Sequence, residues 1–356
     1  MYRIAVIADI HFGVRDSEKL YKELKDNFIE ILKEKKPDLI FIAGDLFHNK
    51  LSVNSIHNQM CNNFIHDLND LEGVKILIEG TFLHDQFQLK SFNHYKSKDF
   101  RIFLEASVFR YKDLKFLILP EENMLNYKNY YEKLLNDNYD FIIGHGMFSH
   151  VGSYTKHETT KTKVMWNVNQ FENNVKGLVI FGHIHTRTEY KNVCYPGSFS
   201  RDSFGEDEDK GFYIIDYENG KIINKEFIIN KDAPKYLSIN INKIPKSSLE
   251  EMLKYLREKS ESNDYLRIVI DEEISEEISN NISAFVKNSK NVSVIKKKSK
   301  HLQSLDDIKN EKYLENQKRL KRFEGKDIVE ITKIIAKEKF NMDLTNEEIN
   351  SILNEN

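Results

Sequence analysis

Short apolar stretches alternate with amphipathic stretches through residues 1–230, and this alternation limits the possible folds more than any other feature. Residues 2–8 (YRIAVIA) have the composition of a buried strand, while residues 17–36 space their large apolar side chains along one face of a helix. Pro37 ends that helix, and the next strand follows at residues 38–44. Strands that alternate with helices predict an α/β fold with a layered core.

The same patterns divide the chain into three parts. A helix near 54–69 and strands at 74–80, 115–120, 139–146 and 177–185 follow, and a hairpin around Asn219-Gly220 joins 211–217 to 221–229. Three strands (236–242, 266–271, 292–298) and two helices (247–259, 274–287) then form a β-α-β-α-β module. The sequence from residue 301 is helical, polar and strand-free. We therefore predict domains at 1–232 and 233–300 and a helical segment at 301–356.

The composition indicates a protein of a reducing compartment with no general affinity for nucleic acid. A chain of 356 residues that is 40% hydrophobic is long enough for two or more cores. Its formal net charge of -3 means that a polyanion site must be a local patch or a metal centre. Cys61 and Cys194 form no CxxC pattern, which argues against disulfides or structural zinc. Neither a signal peptide nor a transmembrane stretch is evident, so we expect a cytoplasmic protein.

Aspartate and histidine residues follow five of the predicted strands. These motifs are Asp9 with His11, Gly44-Asp45, Gly80 with His84-Asp85, Gly144-His145, and Gly182-His183-Ile184-His185. Because ligands bind at the carboxyl ends of strands in open α/β sheets, the five segments can bring their side chains to one crevice. Imidazole and carboxylate ligands without thiolates suit manganese, iron, zinc or nickel, and a carboxylate such as that of Asp45 can bridge two cations. The pattern is typical of a two-metal site for phosphoester hydrolysis.

Each motif alone has an ordinary structural explanation. An Asp-x-His sequence after a strand is usually a turn or a helix cap, and a single Gly-Asp pair carries less information still. The Gly-His-x-His motif is more specific, because alternate residues of an extended segment lie on the same side. The five motifs together favour the metal site. The other histidines have no matching partners and are assigned no role; they are His48, His57, His66, His94, His150, His157 and His301. Of these, His150 and His157 could line the cleft, but nothing in the pattern requires it.

The order DxH, GD, GTFLHD, GH, GHxH resembles that of the calcineurin-like metallophosphoesterases. More narrowly, the chain is similar to the nuclease subunit of the SbcCD-type DNA repair exonucleases, including bacteriophage members. Residues 195–216 (YPGSFSRDSFGEDEDKGFYIID) carry this likeness, because they resemble the PGS segment and the following hairpin of that subfamily. The resemblance implies a layered β-sandwich flanked by helices, a small α/β capping domain and a C-terminal helical segment.

The resemblance also implies a set of ligands for two divalent metal ions, with Mn²⁺ first and Mg²⁺, Fe²⁺ or Zn²⁺ as alternatives. One ion would be held by Asp9, His11, Asp45 and His185, and the second by Asp45, His145 and His183. Asp45 would then be the bridge between the two ions.

One motif departs from the family pattern. The family has GNHD, whose asparagine binds the second metal and whose histidine contacts the scissile phosphate, whereas this chain has GTFLHD. We expect His84 to take the catalytic, phosphate-facing role and Asp85 to orient its ring through a hydrogen bond. Thr81, water or His84 itself would replace the asparagine. One consequence would be weaker occupancy of the second metal, and the extreme one would be loss of activity.

The regions after residue 232 suggest partners. In the resembling family the module caps the nuclease cleft, and here its lysine-rich exit at 296–300, with Lys287 and Lys290, would contact DNA phosphates. A solvated charged face is the alternative. The apolar stripe of the C-terminal helices would bind an SbcC-type, SMC-like ATPase subunit, or else pack back on this chain. A family-like homodimer would use Ile56, Met60 and Phe64, which core packing also explains.

Three functional hypotheses follow. The first is a Mn²⁺-dependent DNA exonuclease and endonuclease that works with an ATPase partner in DNA repair, recombination or replication. The second is a small-molecule phosphodiesterase or phosphatase on the same fold. The third is a weakened scaffold that binds DNA ends and the ATPase. The module and the helical segment favour the first hypothesis over the second, because a small-molecule esterase does not need them.

Overall fold

The computed structural model describes residues 1–121, 133–148, 165–244, 249–270, 274–289 and 291–296, together with residue 345. The chain forms two compact units, Met1–Lys296 and Lys297–Asn356. The first unit contains both the predicted nuclease domain and the β-α-β-α-β module. The helices predicted after residue 301 lie outside the described residues, and the three-part domain division stays a prediction.

The strands, in chain order, are β1 (Tyr2–Ile7), β2 (Leu39–Ala43), β3 (Val74–Ile78), β4 (Phe100–Phe103), β5 (Ser107–Tyr111), β6 (Leu114–Leu119), β7 (Phe141–His145), β8 (Met147–Phe148), β9 (Met165–Trp166), β10 (Val179–Gly182), β11 (Thr188–Tyr190), β12 (Val193–Tyr195), β13 (Gly211–Glu218), β14 (Lys221–Ile229), β15 (Tyr236–Asn240), β16 (Tyr265–Ile270) and β17 (Val292–Lys296). The helices are α1 (Ser17–Leu24), α2 (Glu30–Lys35), α3 (Ile56–Asn69), α4 (Phe82–Asp85), α5 (Leu249–Ser262) and α6 (Glu276–Lys287). A π-helical segment, Lys25–Ile29, connects α1 to α2, and 3-10 turns occur at Gln88–Tyr95, Val168–Gln170 and Ile241–Lys243. No helix of the described ranges is both long and apolar enough to cross a bilayer.

Two six-stranded sheets form the larger part of the first unit. The first sheet has the order β14-β13-β1-β2-β3-β4, and the second has the order β11-β12-β10-β7-β6-β5. Strands β1 to β4 are parallel, as are β6, β7, β10 and β12, so several carboxyl ends lie along one edge of each sheet. A third sheet, β15-β16-β17, is parallel and belongs to the module.

The core is layered because β1 and its neighbours bury both faces. Along β1, Ile4 and Val6 pack with residues of the second sheet such as Phe116, while Ala5 and Ile7 pack with the helices on the other side. This alternation follows from the two-residue period of a strand. Both faces are therefore apolar, which explains why these strands appear in the sequence as continuous hydrophobic runs.

The predicted fold class is confirmed: the protein is a mixed α/β structure with multistranded sheets flanked by helices. The predicted hairpin is also present, and Asn219 and Gly220 both have positive φ, as its tight turn requires. The sequence analysis missed β4, β5, β8, β9, β11 and β12. These strands have two to five residues, and the edge strands β5 and β11 alternate partly buried with exposed residues, so they lack the long apolar runs of the central strands.

Candidate metal centre

The predicted site residues meet at one place, where β1, β2, β3, β7 and β10 end. Their possible ligand atoms form two groups, within each of which the atoms lie within 4.8 Å of one another. We call Asp9, His11 and His185 the first cluster and Asp45, His145 and His183 the second cluster. All six predicted metal ligands are therefore brought together.

The Asp45 carboxylate lies between the two clusters. Its Oδ2 atom is 3.3 Å from His145 Nε2 in the second cluster and 3.8 Å from His11 Nε2 in the first. Its Oδ1 atom accepts the Thr81 N–H at 2.6 Å, which fixes the carboxylate plane. A carboxylate in this position fits the predicted bridging role.

The backbone is strained where the ligands lie. Asp9, His11, Asp45 and His183 all have positive φ, a region that residues other than glycine seldom adopt. Conformations of this kind cost about 1–3 kcal/mol each and persist where the surrounding structure fixes them. Gly80 allows the close approach, since a β-carbon there would overlap the Asp45 backbone nitrogen and carboxylate. The backbone conformation of these strand-end loops therefore sets the positions of the candidate ligand side chains.

Hydrogen bonds to the backbone orient the ligands. His145 Nδ1 lies 2.8 Å from the carbonyl oxygen of Ala43, which turns Nε2 toward Asp45. The Asp9 carboxylate accepts the His183 N–H at 2.9 and 3.1 Å and so ties the β1 loop to the β10 loop. Such contacts fix ring orientation before any metal binds.

The structure corrects the role expected of Asp85. Its buried carboxylate accepts backbone N–H groups of Gly80 at 2.7 Å, Phe47 at 3.0 Å and Asp45 at 3.1 Å, and the His84 ring is not among these partners. His84 Nδ1 is instead hydrogen-bonded to the carbonyl oxygen of His48. Asp85 therefore holds the metal-binding loops together, because its carboxylate accepts backbone N–H groups from the segments after β2 and β3.

His84 itself lies at the site, as predicted. Its Nε2 atom is 3.9 Å from Asp45 Oδ2, and its side chain keeps 30% of its surface exposed. The rings of His11 and His145 are almost fully buried, whereas the His84 ring, like that of His185 with 29% of its surface exposed, is placed to meet a molecule that arrives from solvent. This position agrees with the phosphate-facing role expected of it.

His48 was wrongly left without a place at the site. It shares a group of mutually close ring atoms with His11 and His84, and its ring centroid lies 5.3 Å from that of His84. The signal available in the sequence was its position three residues after Asp45, in the same strand-end loop.

Glu121 was also missed, and with Thr81 it lies at the second cluster. Glu121 Oε2 is 3.2 Å from His183 Nδ1 and 3.7 Å from His145 Nε2. Thr81 Oγ1 donates to Glu121 Oε2 at 2.9 Å and lies 3.3 Å from each of the same two histidine nitrogens. Glu121 follows β6 after Pro120, so it too is a polar residue at a strand end.

The charges of the buried groups depend on one another. Burial would raise the pKa of Asp45, but His145, His11 and His84 outweigh it and hold that pKa well below its usual range. Burial likewise would lower the pKa of His145, and the nearby Asp45 carboxylate instead raises it well above the ordinary value. The pKa of His185 rises to about 9, because Glu206 and Asp9 outweigh its burial. The buried Asp45 carboxylate therefore keeps its charge because positive groups lie beside it.

The residues present fit two divalent cations. The donors are carboxylate oxygens and imidazole nitrogens, the mixture that suits Mn²⁺, Fe²⁺ and Zn²⁺. In the first cluster, His11 Nε2 and His185 Nε2 lie only 3.0 Å apart, a separation expected of two ligands of one ion. In the second, Asp45, His145 and His183 supply the ligand atoms. A bound cation would supply the positive charge that the carboxylates require.

Comparison with known proteins identifies the fold family. A family model described as calcineurin-like phosphoesterase matches residues 2–187, just over half of the chain. The chain belongs to the calcineurin-like phosphoesterase family. For such a phosphoesterase, the two clusters are the expected binding sites of two divalent metal ions, and hydrolysis of phosphoesters is the expected chemistry.

A viral relative supports the same assignment. This phosphoesterase chain is 39% identical over 67 residues to the "Putative phosphoesterase 244L" of Invertebrate iridescent virus 6. The match covers 18% of this chain and 24% of the viral protein, so the chain spans about a quarter of the length of the relative it matches.

Solved structures give weaker likenesses. The glutamine-dependent NAD⁺ synthetase of Acinetobacter baumannii aligns with 92% of this chain and 68% of its own at 10% identity, with a TM-score of 0.30. The cold-active protein-tyrosine phosphatase of a Shewanella species aligns with 64% of this chain and 80% of its own at 12% identity, with a TM-score of 0.29. Likenesses this weak support no statement about fold or function.

Proposed function

We propose that this phosphoesterase is a metal-dependent DNA nuclease that hydrolyses phosphodiester bonds with two cations, Mn²⁺ in the first instance. We further propose that it is the nuclease subunit of an SbcCD-type complex and acts in the cytoplasm in DNA repair, recombination or replication. The observation that carries the proposal is the pair of Asp and His clusters that share the Asp45 carboxylate. Bound cations would polarise the phosphoryl group and activate a water molecule.

The chain's own residues would position the substrate and the ions. Asp45 holds both clusters at a fixed separation, and the Asp85 carboxylate keeps the β2 and β3 loops together. His84, partly exposed, would donate a hydrogen bond to the scissile phosphate and stabilise the charge that develops on it. No covalent intermediate with the protein is required.

The small module supports a polymeric substrate. It packs against the loop that follows β12: Phe204 contacts Tyr236 edge to face at 5.1 Å, and the Arg267 guanidinium lies 4.3 Å from the Phe204 ring. That loop also carries Glu206, whose carboxylate is 3.9 Å from His185. A module joined to the metal centre in this way is suited to guiding a long substrate. A small-molecule esterase does not need such a module.

Contacts with DNA and with partner proteins are part of the proposal. Lys287 and Lys296 are exposed and available for phosphates, while Lys290 and residues 297–300 lie outside the described residues. The segment proposed to bind an SbcC-type ATPase, 301–356, also lies outside them, apart from residue 345.

Fewer residues are available for the proposed homodimer surface than the sequence predicted. Phe64 is fully buried and packs against Phe12 and Phe28, so it belongs to the core. Ile56 remains 43% exposed at the start of α3, and Met60 is partly buried. A second copy would therefore contact the first turns of α3.

The proposal is tested by substrate choice. The purified chain, with Mn²⁺, is offered linear duplex DNA, a nitrophenyl phosphodiester and cyclic nucleotides, with a chelator as the blank. We expect degradation of the duplex, lost in His84→Ala and without metal. Hydrolysis confined to the small esters would show a small-molecule phosphodiesterase instead. Binding of DNA ends without hydrolysis would show a scaffold. Either result rejects the nuclease.

A further inference from the structure

Beside the second cluster lies a carboxylate that the family pattern does not provide. Glu121 Oε2 lies 3.2 Å from His183 Nδ1 and 3.7 Å from His145 Nε2, and the side chain is only 9% exposed. Atoms bound to one cation at about 2.1 Å lie about 3–3.5 Å from each other. The carboxylate oxygen therefore lies close to the distance expected of a fellow ligand of the two histidines.

The position of Glu121 follows from the sheet. Strand β6 ends at Leu119 and runs parallel to β7, which ends at His145. Pro120 follows the end of β6, and Glu121 is the next residue, beside the end of β7. The Glu121 carboxylate thus reaches the cluster from a strand that none of the predicted ligands uses.

We propose that Glu121 is a ligand of the second cation, in place of the asparagine that the GTFLHD segment lacks. This inference rests on the metal site of the proposed function. Both groups offer an oxygen donor, so the cation keeps a hard ligand at that position. The exchange adds one negative charge to the site, so the second cation binds more tightly than an amide oxygen would allow.

Thr81 has a different part in this arrangement. Its hydroxyl donates to Glu121 Oε2 at 2.9 Å, and its backbone N–H donates to Asp45 Oδ1 at 2.6 Å. A neutral hydroxyl that already donates to a carboxylate orients that carboxylate. Thr81 is therefore a positioning residue, and the charge that binds the cation comes from Glu121.

The test measures metal binding directly, by calorimetric titration with Mn²⁺ and by metal content after gel filtration. We expect the wild-type chain to bind two Mn²⁺ per chain. Glu121→Ala should weaken the second binding event by about 100-fold or more, above the 10–100-fold range of residues that only orient ligands. Glu121→Gln keeps an oxygen donor and should give a smaller loss, and Thr81→Val should lose about 10-fold.

The controls separate a ligand from a structural residue. Glu105→Ala removes an exposed glutamate that precedes β5 and should bind both ions as the wild type does. Thermal melting of the metal-free variants shows whether each has folded, and electron paramagnetic resonance reports the coupled pair of Mn²⁺ ions, which Glu121→Ala should replace by an isolated-ion spectrum.

Two Mn²⁺ ions bound at wild-type affinity by Glu121→Ala would overturn the assignment, as would a larger loss in Thr81→Val than in Glu121→Ala. A wild-type chain that binds fewer than two Mn²⁺ ions would overturn it as well. A wild-type chain that binds both ions without cleaving DNA would reject the nuclease, while Glu121 would stand as a ligand if its variants lose the second ion.

Discussion

The two halves of the metal centre differ in how closely they follow the family pattern. The first cluster contains the expected Asp9, His11 and His185. The second contains the expected Asp45, His145 and His183, but its segment after β3 has Thr81 in place of the family's asparagine, and Glu121 lies beside its histidines. Both clusters lie at strand ends. The comparison teaches that the sheet edge fixes where ligands must be, while the segment that supplies each one is free to change.

Replacement of the shared carboxylate should have the largest effect. Asp45→Asn keeps the acceptor for the Thr81 N–H but removes the charge that lies between the clusters. We expect tight binding of both cations to fail and phosphodiesterase activity to fall by more than about 100-fold, beyond the usual loss for residues that only orient ligands. Mn²⁺ titration and the rate on duplex DNA measure the two effects.

A matched control for this change is Asp113→Asn, on an exposed turn before β6. It should bind metal and cleave as the wild type does. Loss of only one cation in Asp45→Asn would mean that Asp45 serves a single cluster. The two clusters would then be independent metal sites.

His84 should matter for turnover and little for either cluster's metal. Loss of a group that stabilises charge on the reacting phosphate lowers the rate by about 10²–10³. We expect His84→Ala to lose about that factor in kcat while both cations remain bound. His48→Ala keeps the carbonyl that receives the His84 ring and should lose less. His94→Ala, at an exposed position of the 3-10 segment Gln88–Tyr95, is the control. Loss of a cation in His84→Ala would show that its ring is a ligand.

The sequence predicted the parts of this centre that a strand pattern encodes. Asp9, Asp45, His145 and His183 each follow or end a long apolar run, and the carboxyl ends of such runs meet in an α/β sheet. Glu121 follows a run of the same kind and was missed because a pair of glutamates after Leu-Pro matches no motif. Its role depends on the packing of β6 beside β7, which only the structure gives.

The contacts of Asp85 could not be predicted for a related reason. An aspartate beside a histidine in the sequence invites a pairing between their side chains, but the short helix α4 carries the Asp85 carboxylate into the interior, toward the backbone of Gly80 and Phe47. Local sequence shows which groups are available, whereas the choice of partner depends on loops that are distant in sequence.

Asp85→Ala should reduce stability more than it alters the chemistry. The change leaves three buried backbone donors without their acceptor, and each such group costs about 1–3 kcal/mol. We expect the free energy of unfolding in urea to fall by about 3 kcal/mol, and Asp85→Asn, which keeps one acceptor oxygen, to lose less. Glu105→Ala, the control, should leave the free energy of unfolding unchanged. A fall below about 1 kcal/mol in Asp85→Ala would mean that water satisfies these donors.

The smallest expected effect separates the first cluster from the second. Glu206 lies 3.9 Å from His185 Nδ1 and 2.9 Å from the buried Lys210 ammonium, and His185 and Lys210 lower the pKa of Glu206 to about 2 against its burial. Glu206→Gln removes the charge that orients His185, so Mn²⁺ affinity should fall about 10-fold at the first cluster only. The site lost in Asp9→Asn identifies that cluster in the titration. Glu208→Gln is the matched control, because Glu208 contacts the same Lys210 ammonium, at 2.7 Å. Equal losses in the two variants would mean that the effect passes through Lys210, whose ammonium donates to the His185 carbonyl oxygen at 2.9 Å, and that the His185 ring needs no carboxylate partner to hold its ion.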